Sequence, residues 1–207
     1  MAYLEVVIMR LFWLFLAILL LLSFEYDVLS QEWYPIYTEL EGVNLRDVNF
    51  PIGETQSAWI VGDNGTILKT QDGGATWQKQ VSPTDKNLYS VYFVDNSNGW
   101  AVGDNGTIIQ TKDGSNWQVV SSPAQGKRLR YVTFYGFNNG WAVGDFGTIL
   151  YWNGTEWKQQ ESSTTQHLYA VDFINGSEGW AVGDGGTILY TNNGGNKWEK
   201  KPSGTTN

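Results

Sequence analysis

The sequence predicts an all-β fold of the propeller class, built from four-stranded antiparallel blades of which four repeats are present. Three observations lead there. One ten-residue phrase occurs four times, beginning at Trp59, Trp100, Trp141 and Trp180 and reading Trp-x-Val-Gly-Asp-x-Gly-Thr-Ile-Leu or its Ile-ending variant. Those tryptophans stand 41, 41 and 39 residues apart. At such a period one supersecondary unit buries its apolar face by stacking on copies of itself. Within each unit apolar residues alternate with a period of two between Gly-, Asn- and Asp-rich turns, the pattern of short strands joined by hairpins.

The first strand of each unit is expected over 45–50, 88–93, 129–134 and 168–173. Each ends in an apolar pair two residues apart, Val48/Phe50, Val91/Phe93, Val132/Phe134 and Val171/Phe173, which places both side chains on one face. The Trp-x-Val segment is the second strand. Asp63-Asn64-Gly65 and Asp104-Asn105-Gly106 then form a tight turn, because Asn-Gly supplies the two positive-φ residues that a two-residue hairpin needs. A third strand begins at Thr66, Thr107, Thr148 and Thr187, and a closing tryptophan (Trp77, Trp117, Trp157, Trp198) opens the fourth. The blades are therefore expected at about 45–80, 88–120, 129–160 and 168–201, inside a repeat domain covering 31–207. Trp33-Tyr34-Pro35-Ile36-Tyr37 precedes Leu45 by 12 residues, as Trp117 precedes Leu129, and reads as a further outer strand.

Residues 1–30 are set apart. Arg10 precedes a run of 14 residues, 11–24, with one polar member. A positive segment before an apolar core describes an export signal, with Val28-Leu29-Ser30 before Gln31 as its cleavage site. The alternative is an uncleaved anchor, although 14 helical residues cover only about 21 Å of a roughly 30 Å hydrocarbon layer. Both readings place the repeats outside the cytoplasm, in a periplasm, a lumen or secreted. Membrane contact is expected only through 1–30, if uncleaved.

Composition removes several function classes. Thirteen Lys and Arg against 21 Asp and Glu give a net charge of −8, so a phosphate backbone is repelled and no nucleic-acid partner is expected. Without cysteine there are no disulfides and no thiolate metal sites. His167 is the single histidine, which leaves no Ser-His-Asp set and no histidine metal cluster. The glycines fall in turns between strands and not before a helix, unlike a phosphate loop. Asn-x-Ser/Thr triplets at Asn64, Asn105, Asn153 and Asn175 follow from turn chemistry.

Thr70-Gln71-Asp72-Gly73-Gly74-Ala75-Thr76-Trp77 matches the Asp-box pattern Ser/Thr-x-Asp-x-Gly-x-Thr-Trp, which sialidase-like propellers carry between outer strands. The second copy, 111–117, is one residue shorter; the third, 151–157, has lost the aspartate; the fourth carries Asn193 in its place. Taken with the Gly-Trp-Ala-Val-Gly-Asp-x-Gly-Thr-Ile-Leu phrase, the repeats over 44–198 resemble the photosystem II stability/assembly factor family. That resemblance implies a seven-bladed, non-enzymatic propeller without cofactor. It also implies an arginine-rich patch binding a protein partner, a membrane-protein assembly intermediate on the lumenal side. Four repeats fall short of seven, and the expectation is a piece of a longer ring, with a short array closing alone or by association as the other reading.

Candidate site residues divide by whether the repeats agree. Asp63, Asp104, Asp145 and Asp184 recur in one turn, and equivalent carboxylates imply equivalent environments, not the split pair that acid–base catalysis needs. Each is expected to cap its hairpin through nearby backbone N–H groups. Asp72 and Asp113 are read as turn-forming too, so no catalytic or metal site is expected. The tryptophans at the two repeated positions are read as core. Variable positions carry recognition: Arg46, Tyr89, Arg130 and Tyr169 share one site near the start of the first strand. Arg and Tyr are enriched in protein-binding hot spots, and Arg128 joins them. Trp152, at a position where other copies have threonine, is expected to be exposed and available to a partner. The rival reading is an exported Asp-box protein that binds or cleaves glycans.

Overall fold

A computed structural model describes residues 42–205. These form four separate sheets, each of four antiparallel strands joined in chain order. The first holds β1 (Leu45–Asn49), β2 (Ala58–Gly62), β3 (Ile67–Thr70) and β4 (Gln78–Lys79). The second holds β5 (Leu88–Phe93), β6 (Gly99–Gly103), β7 (Ile108–Thr111) and β8 (Trp117–Val119). The third holds β9 (Leu129–Phe134), β10 (Gly140–Gly144), β11 (Ile149–Trp152) and β12 (Trp157–Gln160), and the fourth β13 (Leu168–Phe173), β14 (Gly179–Gly183), β15 (Thr187–Thr191) and β16 (Glu199–Lys201). The first strands of successive sheets lie side by side, β1 against β5, β5 against β9 and β9 against β13, which is the blade order of a propeller. No helix among the described residues is long and apolar enough to cross a membrane. The export segment and the outer strand expected at 33–37 lie outside the described residues.

Local chemistry accounts for the hairpins. Asn64 and Gly65 both take positive φ, and the Thr66 N–H donates to the Asp63 carbonyl at 3.0 Å, closing the turn. The phrase before it has its own reason for a small residue. A Cβ on Gly99 would stand 2.5 Å from the Phe93 ring, so the Gly-Trp step exists to let a phenylalanine lie flat across the sheet.

The core lies between blades. Trp59 stacks on Phe93 with ring centroids 3.6 Å apart, Trp100 on Phe134 at 4.1 Å, and Trp141 on Phe173 at 3.4 Å. Each phenylalanine also meets the closing tryptophan of its own blade edge-on, at 5.6 to 5.9 Å. Aromatic pairs of this kind add about 0.5–1.5 kcal/mol each to the area they bury. The indole N–H groups bind across the joint as well. Trp59 donates to the Gly114 carbonyl and Trp141 to that of Gly194, while Gln80 and Gln160 accept from Trp117 and Trp198.

Two expectations about tryptophans are corrected. Trp152 is buried, with 6% of its surface exposed, and packs against Trp100 and Trp157. The third Asp-box turn is short and the glutamine of the other joints is replaced by Val120, so an indole fills the space. In exchange, the Trp100 and Trp157 Nε1 atoms have no hydrogen-bond partner among the described residues. Trp180 is exposed and Trp77 half-buried, because each belongs to an end blade with no neighbouring sheet on that side among the described residues.

Candidate partner-binding rim

The variable Arg/Tyr positions are the extra residues of four β-bulges. Pairing of β1 with β2 skips Arg46, and the corresponding pairings skip Tyr89, Arg130 and Tyr169. A bulge re-aims its side chain out of the pleat. Here that direction is toward the turn after the second strand, because the first strand starts where the second ends. All four side chains therefore meet the repeated aspartates at one end of the blades.

The contacts form a belt. Arg46 Nε donates to Asp63 at 2.6 Å, Arg128 Nε to Asp104 at 2.8 Å and Arg130 Nε to Asp145 at 2.7 Å. The tyrosine hydroxyls donate to the same set, Tyr89 to Asp104 at 3.2 Å and Tyr169 to Asp184 at 2.6 Å. Guanidinium groups then cross from blade to blade over the rings. Arg46 and Arg128 lie 4.7 and 4.8 Å from the Tyr89 centroid, and Arg130 lies 4.9 Å from that of Tyr169. The expected hairpin-capping role of the aspartate side chains is thus overturned. Their backbone carbonyls close the turns, and their carboxylates hold Arg and Tyr.

Electrostatics follow from these partners. Arg46 and Asn44 hold the Asp63 carboxyl below its ordinary range. The bond to Asp104 pushes Arg128 further up, and donation to Asp184 raises the Tyr169 hydroxyl. The arginines are therefore neutralised in place and do not form a free basic patch. Each guanidinium still carries outward N–H donors, of the five it possesses, in a fixed orientation.

Phe146 completes the rim and was not among the sequence-derived candidates. It occupies the turn position of Asn64 and Asn105 with φ of +56°, a conformation that suits Asn or Gly and not a bulky ring. It is exposed, its ring lies 4.9 Å from that of His167, and its N–H donates to His167 Nδ1 at 3.1 Å. That bond requires Nδ1 to be unprotonated, so its 3.3 Å approach to Asp145 is not an ion pair in this state. The available signal was a phenylalanine standing where every other repeat has Asn or Gly.

The Asp boxes lie at the opposite end of the blades, in the turns between third and fourth strands. Asp72 accepts from Thr70, from the Thr76 hydroxyl and from the Thr76 N–H, which lowers its pKa to about 2. Asp113 is held likewise by Asn116 and Ser115, and its pKa is lowered. Their acceptor capacity is turned inward to the turn. No group of three or more His, Cys, Asp or Glu among the described residues is placed to hold a metal ion.

Fold and rim together define a β-propeller repeat protein whose variable residues gather on one end of its blades. The sequence matches the family described as photosynthesis system II assembly factor YCF48 over residues 26–86, 77–154 and 152–206, and the chain belongs to that family. It is 33% identical over 82 residues to the photosystem II assembly lipoprotein Ycf48 of Synechocystis, a match covering 38% of this chain and 23% of that protein. It is 30% identical over 73 residues to the chloroplast photosystem II stability/assembly factor HCF136 of Arabidopsis thaliana, covering 34% of this chain and 18% of the other. The matched stretches thus span less than a quarter of either relative. A solved structure described as YCF48 bound to D1 peptide shares the fold, with a TM-score of 0.51 and 20% identity over 84% of this chain and 72% of that one.

Proposed function

We propose that this chain is an extracytoplasmic, non-catalytic scaffold that holds a polypeptide against the Arg–Tyr–Asp rim during photosystem II assembly. The observation that carries the reading is the belt itself. Four bulge residues and Arg128 converge on four aspartates at one end of the blades, each guanidinium fixed by a carboxylate and a ring face. Donors fixed before binding lose little rotamer freedom on contact, which favours recognition of carbonyl and carboxylate acceptors on a peptide. Family membership and the D1-bound solved relative support a protein as the occupant, and a membrane-protein assembly intermediate as its source. The apolar run after Arg10 supports export.

The test is calorimetric titration of the full chain with the D1 peptide of that solved complex, alongside an Arg46→Glu/Arg130→Glu variant. Both ion pairs are partly exposed, so their loss leaves the fold intact. The expected outcome is binding by the unaltered chain and a loss of at least about 2 kcal/mol in the variant. Unchanged peptide binding in the variant, with measurable binding to a glycan array, would favour the Asp-box glycan reading.

A further inference from the structure

The position just before the leucine that opens each first strand is filled by Asn44, Asn87, Arg128 and His167 in turn. At the joint between the first and second blades it is a neutral acceptor. Asn87 Oδ1 takes the N–H of the turn residue Asn64 at 3.0 Å. At the next joint it is a permanent cation, and Arg128 Nε donates to Asp104 in the turn of the preceding blade at 2.8 Å.

His167 stands at the third joint, between two described blades. Its ring does what Asn87 does, accepting the N–H of the turn residue Phe146 at Nδ1 over 3.1 Å. The same Nδ1 lies 3.3 Å from Asp145 Oδ1, in the turn of the preceding blade, where the second joint sets Arg128 against Asp104. One nitrogen thus faces an N–H donor and a carboxylate, and each protonation state satisfies one of them. Histidine changes charge between about pH 5 and 8, which Asn and Arg do not.

We propose that His167 is a protonation switch on the rim, which on acidification leaves Phe146, donates to Asp145 and strengthens capture of a carboxylate-bearing peptide. Its ligand rests on the rim reading above; its switch rests on the geometry of this joint. A proton from solvent adds to Nδ1, which loses the lone pair that served Phe146 and gains an N–H that Asp145 accepts. Asp145 Oδ1 already holds Arg130 at 2.7 Å, so the carboxylate is then divided between two cations. Arg130 is less neutralised, and the Phe146 N–H is freed for a peptide carbonyl.

The other charged or titratable groups around the ring are Arg128, Tyr169 and Asp184. The Arg128 carbonyl accepts the Asp145 N–H, the Tyr169 ring carries Arg130, and the Asp184 N–H donates to the His167 carbonyl. Arg128 and Tyr169 are held by Asp104 and Asp184, which leaves Asp145 as the carboxylate that His167 reaches.

A nitrogen-15 NMR titration of the full chain from about pH 8 to about pH 5 tests the switch. His167 is the single histidine, so its ring signals are unambiguous. The Phe146 amide and the Arg130 Nε–H should shift with the midpoint of the ring, and both should stay in place in His167→Asn. Signals indifferent to ring protonation overturn the proposal. Calorimetry with the D1 peptide reads the consequence. Binding should be about threefold tighter at about pH 5.5 than at about pH 7.5, the scale of a partly exposed charge pair. His167→Asn should bind at the weaker level and His167→Arg at the tighter level at both values. A pH response kept by both variants, or weaker binding in acid, also overturns it. An unaltered chain that binds no peptide at either pH sinks the rim reading, and the NMR titration alone then decides the switch.

Discussion

At the scale of single residues, the rim is made by side chains that break the repeat. Arg46, Tyr89, Arg130 and Tyr169 were legible as candidates because they alternate between Arg and Tyr just after a leucine that all four repeats share. Their pairing with Asp63, Asp104, Asp145 and Asp184 was not legible. A bulge depends on strand register, and no local pattern in the sequence states which residue the register leaves out. Phe146 is the residue where local conformation and stability pull apart. Its left-handed backbone is disfavoured for a bulky side chain by about 1–2 kcal/mol, and its ring is exposed. Phe146→Gly should raise stability by about 1 kcal/mol in urea denaturation while weakening peptide capture. A variant of lower stability would show that the His167 contact outweighs the backbone strain.

At the scale of elements, the blade is where the sequence was most readable. Strand alternation, Asn-Gly turns and the closing tryptophan each specify local geometry that tertiary packing then reinforces. The readings that failed concern joints. Trp152 was expected to be exposed because it replaces a turn threonine, yet the joint between the second and third blades uses it in place of a hydrogen-bonded glutamine. Burial of that kind depends on what the neighbouring blade lacks, which a reading of one repeat at a time does not show. Trp152→Ala should therefore destabilise the protein by about 3–5 kcal/mol, measured by denaturant titration. A loss below about 0.5 kcal/mol would place the side chain at the surface instead.

At the scale of the whole molecule, the four described blades carry the Arg–Tyr–Asp belt at one end of their strands and the Asp-box turns at the other. The aspartates of the repeated phrase face that belt, so the phrase builds the blades and, on the proposed reading, also takes part in the site. It supplies the fixed carboxylates, and the variable first strand supplies the groups they hold. The Asp boxes at the other end of the blades are satisfied internally and carry the turns.

The most direct measurement of the central claim is a nitrogen-15 NMR titration of the full chain with D1 peptide, observing arginine Nε–H and tryptophan Nε1–H signals together. The account predicts that the Arg46, Arg128 and Arg130 Nε–H resonances shift on binding. The buried Trp59 and Trp141 indole signals, bonded inside the joints, should stay in place. Arginine signals that do not move while amides of the Asp72 and Asp113 turns do would put the binding surface at the opposite end of the blades and contradict it.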